Sequence, residues 1–95
     1  MELLIFGNQI KKLMWNRRES PLRVEKRFEF EEYSKISKFM QMVDELCKEK
    51  NIFPNISFGK TFVSITIFLN SEKLSSLEED FSNQIDSFYL EIKLN

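Results

Sequence analysis

The sequence contains no histidine, so the carboxylates are the side chains left for acid–base chemistry near neutral pH. Imidazole is the side chain most easily tuned for proton transfer near neutral pH, so its absence removes the commonest general acid or base. Asp44, Glu45 and Glu49 are the carboxylates of the most helix-like segment and are candidates to replace it. Because carboxylates on a helix surface more often serve solubility, the sequence favours a protein that binds over one that catalyses.

Cys47 is the only cysteine, which excludes an internal disulfide and any cysteine/histidine metal cluster. A thiol nucleophile needs a basic partner, so we expect Cys47 to be a core residue, and we predict neither a metal nor a cofactor. A single thiol is typical of a reducing, intracellular compartment. The apolar run Leu3–Phe6 is too short for a signal peptide or a membrane span, so we expect a soluble, cytoplasmic and unprocessed protein.

The net charge of -1 hides an asymmetry between the two ends of the chain. Residues 1–30 carry seven Lys/Arg against four Asp/Glu, and residues 71–95 carry two against six. Nucleic-acid-binding domains usually have a net basic surplus, which this chain lacks, so we predict no nucleic-acid partner. The basic and acidic ends are expected to attract each other within or between subunits.

Hydrophobic periodicity predicts the strand and the helix in the first half of the chain. Residues from Leu22 to Phe30 alternate between an apolar and a charged face, which predicts a strand. The following apolar residues recur at steps of three, three, one, three, three and one, which predicts a helix that ends before Pro54. This stripe consists of Tyr33, Ile36, Phe39, Met40, Val43, Leu46 and Cys47.

The second half of the chain reads as a hairpin followed by a helix. Ile56–Phe58 and Thr61–Leu69 are predicted strands, with Gly59 and Lys60 as a two-residue turn. Ser75 and Ser76 each precede a glutamate by three residues, the spacing of a capping box at a helix start. Leu77, Phe81, Ile85 and Phe88 are the predicted buried stripe of that helix.

We predict a single α+β domain over residues 1–95, with an antiparallel sheet of about four strands and two or three helices on one face. Residues 1–21 are interpreted as an N-terminal arm or a frayed helix. Because Leu90, Ile92 and Leu94 alternate with charged residues, residues 89–95 are predicted to form a last short strand or a tail.

Several residues in this order resemble the pterin-4a-carbinolamine dehydratase family, over roughly Trp15 to Asp86. The run Arg27–Tyr33, followed by Ile36 and Phe39, is similar to the aromatic strand that leads into the family's main helix. Pro54 matches the proline of the family's His-His-Pro signature, and the match continues without a gap through Val63, Ile65 and Ile67. Asp80 lies near the acidic residue of the family's last helix. The resemblance implies this family's fold.

The resemblance also implies a loss of catalysis. The positions of the family's paired histidines are occupied by Ile52 and Phe53, and the third histidine is replaced by Asn70. The first two side chains cannot transfer a proton, and the asparagine can only hydrogen-bond a ligand. We therefore expect a pseudoenzyme with no catalytic residues. A weak, divergent 4a-hydroxytetrahydrobiopterin dehydratase is the alternative.

Two segments are similar to a histidine-free branch of the family, the pterin dehydratase-like Rubisco assembly factors of the α-carboxysome. These segments are Trp15–Arg27 and Phe53–Val63. This resemblance implies a chaperone that binds Rubisco subunits transiently, in a cytoplasmic, carboxysome-associated setting. A protein-binding adaptor of another complex remains a second alternative.

The candidate partner-binding residues are four arginines and two aromatics: Arg17, Arg18, Arg23, Arg27, Phe53 and Phe58. Guanidinium groups pair bidentately with carboxylates, so the arginines suit an acidic partner, although an ordinary solvated charge is the better explanation of any single one of them. Phe53 and Phe58 either form a protein-binding patch or fill the vacated pocket. Phe62 and Phe68 are the predicted interface of a homodimer or higher homo-oligomer, or else they pack against an arm carrying Phe6 and Trp15.

Overall fold

Residues 15–94 are described by the computed structural model, and they form a four-stranded antiparallel sheet with two helices. The sheet order is β1-β2-β4-β3, so β2 and β4 are central and β1 and β3 are edges. The predicted α+β fold is confirmed. Neither of the two helices between residues 15 and 94 is long and apolar enough to cross a membrane. The elements are β1 (Asn16–Arg18), β2 (Arg23–Glu29), α1 (Tyr33–Lys50), β3 (Asn55–Phe58), β4 (Phe62–Phe68) and α2 (Ser76–Leu94).

The central strands give the sheet one apolar face. Val24 of β2 lies opposite Ile67 of β4, and Phe28 lies opposite Val63. All four side chains are at most 3% exposed, whereas the residues that alternate with those of β4 are partly exposed. Both predicted strand periodicities are confirmed, and the buried residues of the two helices complete the core on this face.

Helix α1 buries the predicted stripe and ends where expected. The chain leaves the helix after Lys50 because Asn51 adopts a left-handed conformation, with φ of 58°, and its N–H donates to the Cys47 carbonyl. Tyr33 was predicted to belong to the stripe, but it is 53% exposed because it begins the helix beyond the edge of the core. The buried residues are Ile36, Phe39, Val43, Leu46 and Cys47.

The hairpin between β3 and β4 turns one residue later than predicted. Phe58 lies opposite Val63, and the Gly59 N–H donates to the Phe62 carbonyl at 3.0 Å. Gly59 and Phe62 are therefore a hydrogen-bonded cross-strand pair, and the turn is centred on residues 60 and 61. The prediction placed Gly59 in the turn because glycine favours turns, but this glycine has a negative-φ backbone and serves packing.

The Phe62 ring covers Gly59. A Cβ atom at position 59 would lie 2.5 Å from Cε1 of Phe62, which is closer than non-bonded carbon atoms approach each other. The Arg27 guanidinium lies over the same ring, 4.0 Å from its centroid. The Phe62 ring is thus held between the Gly59 backbone and the Arg27 guanidinium.

Helix α2 begins with the predicted capping box at Ser75. The Glu78 N–H donates to the Ser75 hydroxyl at 3.1 Å, and the Ser75 N–H donates to the Glu78 carboxylate at 2.9 Å. These reciprocal bonds satisfy two N–H groups that the helix leaves without partners. The start of α2 is therefore fixed at the end of the loop that follows β4.

The prediction of a strand or tail over residues 89–95 is wrong for the described part, because α2 continues to Leu94. Phe81, Ile85 and Ile92 are at most 2% exposed and recur at helical spacing, so the core selects the helix. Leu90 and Leu94, which suggested strand alternation, are 49% and 83% exposed.

The segment before β2 is tied to the rest of the fold. Residues 16–18, which we interpreted as part of an arm, form β1 and pair with β2. Residues 1–14, which carry Phe6, lie outside the described part of the chain. Trp15 Nε1 donates to the Asp86 carboxylate of α2 at 3.3 Å, and Lys26 Nζ contacts the same carboxylate at 2.8 Å. β1 and β2 are thereby fixed to the second helix.

Candidate functional site

A cavity of about 340 Å³ opens where the end of α1, the end of β4 and the start of α2 meet. A concave site of this size, lined by apolar and polar groups in about equal share, suits a small ligand or a side chain of a partner. Its lining includes Ile52, Phe53, Phe68, Asn70, Leu77 and Glu78.

The structure brings together the three positions that the resemblance aligns with the family's histidines. Ile52 and Phe53 come directly after α1, and Asn70 comes directly after the end of the long strand. They meet because the left-handed Asn51 directs the chain away from the helix axis and along the end of β4. The cavity is therefore lined by all three positions that the resemblance assigns to the family's histidines.

Proton-transfer groups are scarce at this cavity. Glu78 is the one ionisable side chain among the residues that line it, and its carboxylate accepts the Ser75 N–H of the capping box. Asp44, Glu45 and Glu49, the candidate carboxylates of α1, are not among the lining residues. Asp44 instead forms an exposed ion pair with Lys48 at 3.2 Å. The walls can thus hold a ligand, but their one carboxylate, that of Glu78, already accepts a hydrogen bond in the capping box.

Three large apolar side chains form an exposed rim around the cavity. Phe53 is 70% exposed, Phe68 46% and Leu77 48%, and they come from the loop after α1, from β4 and from α2. Phe53 therefore projects into solvent, which contradicts the interpretation that it fills the vacated pocket. We call these three residues the apolar rim. A clustered exposed apolar surface beside a cavity is typical of a protein-binding site.

Leu77 is the member of the apolar rim that sequence reasoning missed. Its spacing from Phe81 placed it in the buried stripe of α2. Leu77 lies in the first turn of the helix, beyond the sheet end, so helical spacing there no longer implies burial. Its position two residues after the capping serine was the available signal.

The four candidate arginines each lie beside a glutamate. Arg18 and Arg23 both contact Glu25, at 2.8 and 3.5 Å, and the Arg18 hydrogen bond, against a smaller opposing effect of desolvation, lowers the pKa of that carboxyl. The other two pairs are Arg17–Glu19 at 3.6 Å and Arg27–Glu29 at 2.6 Å. This arrangement is a mixed-charge surface in which an acidic partner must compete with the chain's own glutamates.

The arginine surface and the apolar rim meet at one cross-strand pair. Arg23 lies directly opposite Phe68, so the two side chains are neighbours on the same face of the sheet. Arg18 lies opposite Arg23 on β1 and extends this row. A partner that binds at the rim would therefore reach these arginines without a gap.

The two predicted oligomer-interface residues differ in their surroundings. Phe62 is partly buried between Arg27 and Gly59, whereas Phe68 is exposed at the rim. Phe58, a predicted partner-binding residue, lies on edge strand β3 and is 48% exposed, with Ile56 beside it at 36%. Phe58 is not among the residues that line the cavity.

Cys47 belongs to the core. It is 5% exposed, and burial raises the pKa of its thiol, with the Asp44 charge as a smaller cause. A thiol with a raised pKa is a poor nucleophile. Between residues 15 and 94, no group of three Cys, Asp or Glu side chains is arranged to hold a metal ion.

Solved structures resemble this chain over most of its length. One is a pterin dehydratase-like protein identified as a RuBisCO assembly factor in the α-carboxysome; it is 30% identical, with 79% of this chain and 88% of that chain covered and a TM-score of 0.71. A transcriptional coactivator/pterin dehydratase from Brucella melitensis shares the fold at 15% identity, with 88% and 92% covered and a TM-score of 0.72. No protein-family model and no curated protein matches the sequence.

Proposed function

The chain belongs to the pterin dehydratase-like family, and from that premise we propose that it is a non-catalytic assembly factor for Rubisco, associated with the α-carboxysome. The observation that carries this proposal is the cavity at the family's histidine positions. Ile52, Phe53 and Asn70 line it, the apolar rim lies exposed beside it, and Glu78 is the one ionisable side chain among its lining residues. The site is thus built for contact with another molecule's surface.

The rim supplies the affinity that an assembly factor needs. Exposed aromatic and aliphatic side chains around a cavity can anchor an apolar surface that a client exposes before its subunits join. Arg23 and Arg18 beside Phe68 can orient the client through its carboxylates. Because each of these arginines also contacts Glu25, their contribution is weakened, and the client can be released when subunit contacts form.

Co-expression with Rubisco large and small subunits tests the proposal. We expect a higher yield of assembled holoenzyme, with the factor absent from the final complex and retained on Rubisco subunits in a pull-down at low salt. An unchanged yield together with no retained subunit would refute the assembly function. The adaptor of another complex would then be the better explanation.

Two matched variants locate the client surface. Phe53→Ser removes the most exposed residue of the apolar rim, and Leu94→Ser removes a side chain that is 83% exposed at the other end of α2. Both changes remove exposed apolar area, but α2 separates the two positions by its full length. We expect retention of Rubisco subunits to fall only with Phe53→Ser. Equal loss in both variants would mean that the rim is not the binding surface.

A weak dehydratase remains the second candidate because Glu78 lines the cavity. A stopped-flow assay of 4a-hydroxytetrahydropterin dehydration decides between the two. We expect no appreciable acceleration by the wild-type protein. Turnover that is lost in Glu78→Gln would assign the carboxylate as the acid–base group and would favour the enzyme.

A further inference from the structure

The cavity contains one carboxylate, and the capping box fixes its orientation. The Ser75 N–H donates to Oε1 of Glu78 at 2.9 Å, and the Glu78 N–H donates to the Ser75 hydroxyl at 3.1 Å. A carboxylate accepts up to about four hydrogen bonds, so the Glu78 side chain has room for a further donor. Within residues 15–94, no lysine or arginine forms an ion pair with Glu78. The wall of the cavity therefore presents an oriented negative charge.

The basic side chains that adjoin the cavity are held by other groups of the chain. Lys50, the last residue of α1, directly precedes the lining residues and pairs with Asp80 at 3.6 Å. Arg23, which lies beside the apolar rim, contacts Glu25 at 3.5 Å and donates to the Pro21 carbonyl at 2.8 Å. Neither cation neutralises Glu78, so the position beside this carboxylate is open to a cation of another molecule.

The charges at the start of α2 favour a cation over an anion. The N-terminus of a helix attracts anions because it carries about half a positive charge. In α2, however, Glu78 and Glu79 both lie in the first turn, which contains no basic residue. Their two full negative charges exceed the opposite charge of the helix end. A carboxylate of a partner would be repelled from this side of the cavity.

The remaining walls suit a cation that is carried on an apolar stem. Ile52 and the apolar rim offer surface on which methylene groups can pack while the charged end reaches the carboxylate. The rings of Phe53 and Phe68 attract a cation through their faces. The Asn70 side chain also lines the cavity, and its amide oxygen can accept a hydrogen bond. A guanidinium group, with five donors and weak hydration, fits these surroundings better than an ammonium group.

We infer that the cavity binds an exposed arginine side chain of the partner. This inference rests on the proposed function, because it names the group by which the client is recognised. A volume of about 340 Å³ lies near the lower end of the usual range for ligand sites, so a single side chain suits it. Because Arg23 and Arg18 lie beyond Phe68, the client surface that fits combines an arginine at the cavity with a carboxylate on the Arg23 side.

Small probes test the preferred charge without a client. n-Butylguanidinium carries the arginine head group on an apolar stem, n-butylurea is its neutral counterpart, and pentanoate is an anion of similar length. Each probe is titrated into isotope-labelled protein at low salt, and NMR follows the Asn70 side-chain amide. We expect butylguanidinium to bind at least about fivefold more tightly than butylurea, because its hydrogen bond to Glu78 is charge-assisted. Tighter binding of pentanoate, equal binding of butylguanidinium and butylurea, or no saturable binding of butylguanidinium would overturn the inference.

Two matched variants assign the preference to one carboxylate. Glu78→Gln and Glu79→Gln each remove one negative charge from the first turn of α2, but only Glu78 lines the cavity. Glutamine is also a capping-box residue, so Glu78→Gln keeps the helix start. We expect the preference for butylguanidinium over butylurea to be lost in Glu78→Gln and kept in Glu79→Gln. Loss in both variants, or in neither, would overturn the inference.

A pull-down of Rubisco subunits separates this inference from the proposed function. Where the wild type retains subunits, we expect Glu78→Gln to retain fewer and Glu79→Gln to retain as many as the wild type. Equal retention by all three proteins would overturn the arginine site and leave the assembly function standing. If the wild type retains no subunit, the assembly function fails, and the titration with butylguanidinium decides the arginine site by itself.

Discussion

Substitution of Gly59 by alanine is predicted to destabilise the protein, and removal of the Phe62 ring is predicted to reverse the sign of that effect. A Cβ at position 59 would lie 2.5 Å from the ring, so the ring must move. The Arg27 guanidinium, 4.0 Å from the ring centroid, restrains that movement. Overpacking of this kind costs about 1 to 3 kcal/mol.

The reversal follows from the backbone of Gly59. Its φ is not positive, so alanine can adopt the native conformation without strain. In a Phe62→Ala background the collision is gone, and alanine should stabilise the fold by about 0.4 to 1 kcal/mol because it restricts the unfolded chain. For a domain of this size, about 1 kcal/mol shifts the Tm by roughly 4 to 8 °C.

Thermal unfolding of four proteins measures this double-mutant cycle: the wild type, Gly59→Ala, Phe62→Ala and the double variant. We expect the Tm to fall by at least several degrees when alanine replaces Gly59 in the wild type and to rise when it does so in Phe62→Ala. A Tm unchanged by Gly59→Ala, or a loss of equal size in both backgrounds, would refute the packing explanation.

Three further outcomes follow from the structure. Ser75→Ala should reduce the free energy of unfolding by about 1 kcal/mol because it removes a helix cap, whereas Ser76→Ala should have a smaller effect in the same urea titration. The pKa of Glu25 is lowered in the folded state, so the stability that this carboxylate contributes is present above its ordinary pKa and is lost as the pH falls through the lowered value. Glu25→Gln should therefore flatten the decline of Tm on the acid side. An unchanged decline would count against the pairing of Glu25 with Arg18 and Arg23. Phe53→Ser should leave the free energy of unfolding within about 0.5 kcal/mol of the wild-type value, since the side chain is 70% exposed. A large drop would show that Phe53 packs in the fold.

The sequence predicts the elements best where one periodicity dominates. The stripe from Ile36 to Cys47 and the alternation of β4 each fit a single repeat, and the structure confirms both. Residues 90–94 fit two repeats at once, because Ile92 belongs to a strand alternation and also to the helical series from Phe81. Only the three-dimensional core distinguishes them, and it buries Ile92 as part of a helix.

The candidate site depends on contacts that no local pattern encodes. Ile52 and Asn70 meet because α1 and β4 end at the same side of the fold, and the family resemblance, not the spacing, indicated this. The exposure of Phe53 could not be predicted, because a phenylalanine beside a vacant pocket can equally turn inward. Gly59 was misplaced for a similar reason: the ring that requires it lies across the hairpin.

Edge strand β1 carries Arg17 and Arg18, whereas edge strand β3 carries no charged residue. A chain with two unpaired and uncharged edge strands could pair with further copies at both edges and form filaments, as open strand edges do in aggregates. The charges of Arg17 and Arg18 oppose strand pairing at the β1 edge, so growth at both edges of the sheet is disfavoured. Neutralising Arg17 and Arg18 would remove this repulsion, and we expect such a variant to aggregate more readily than the wild type.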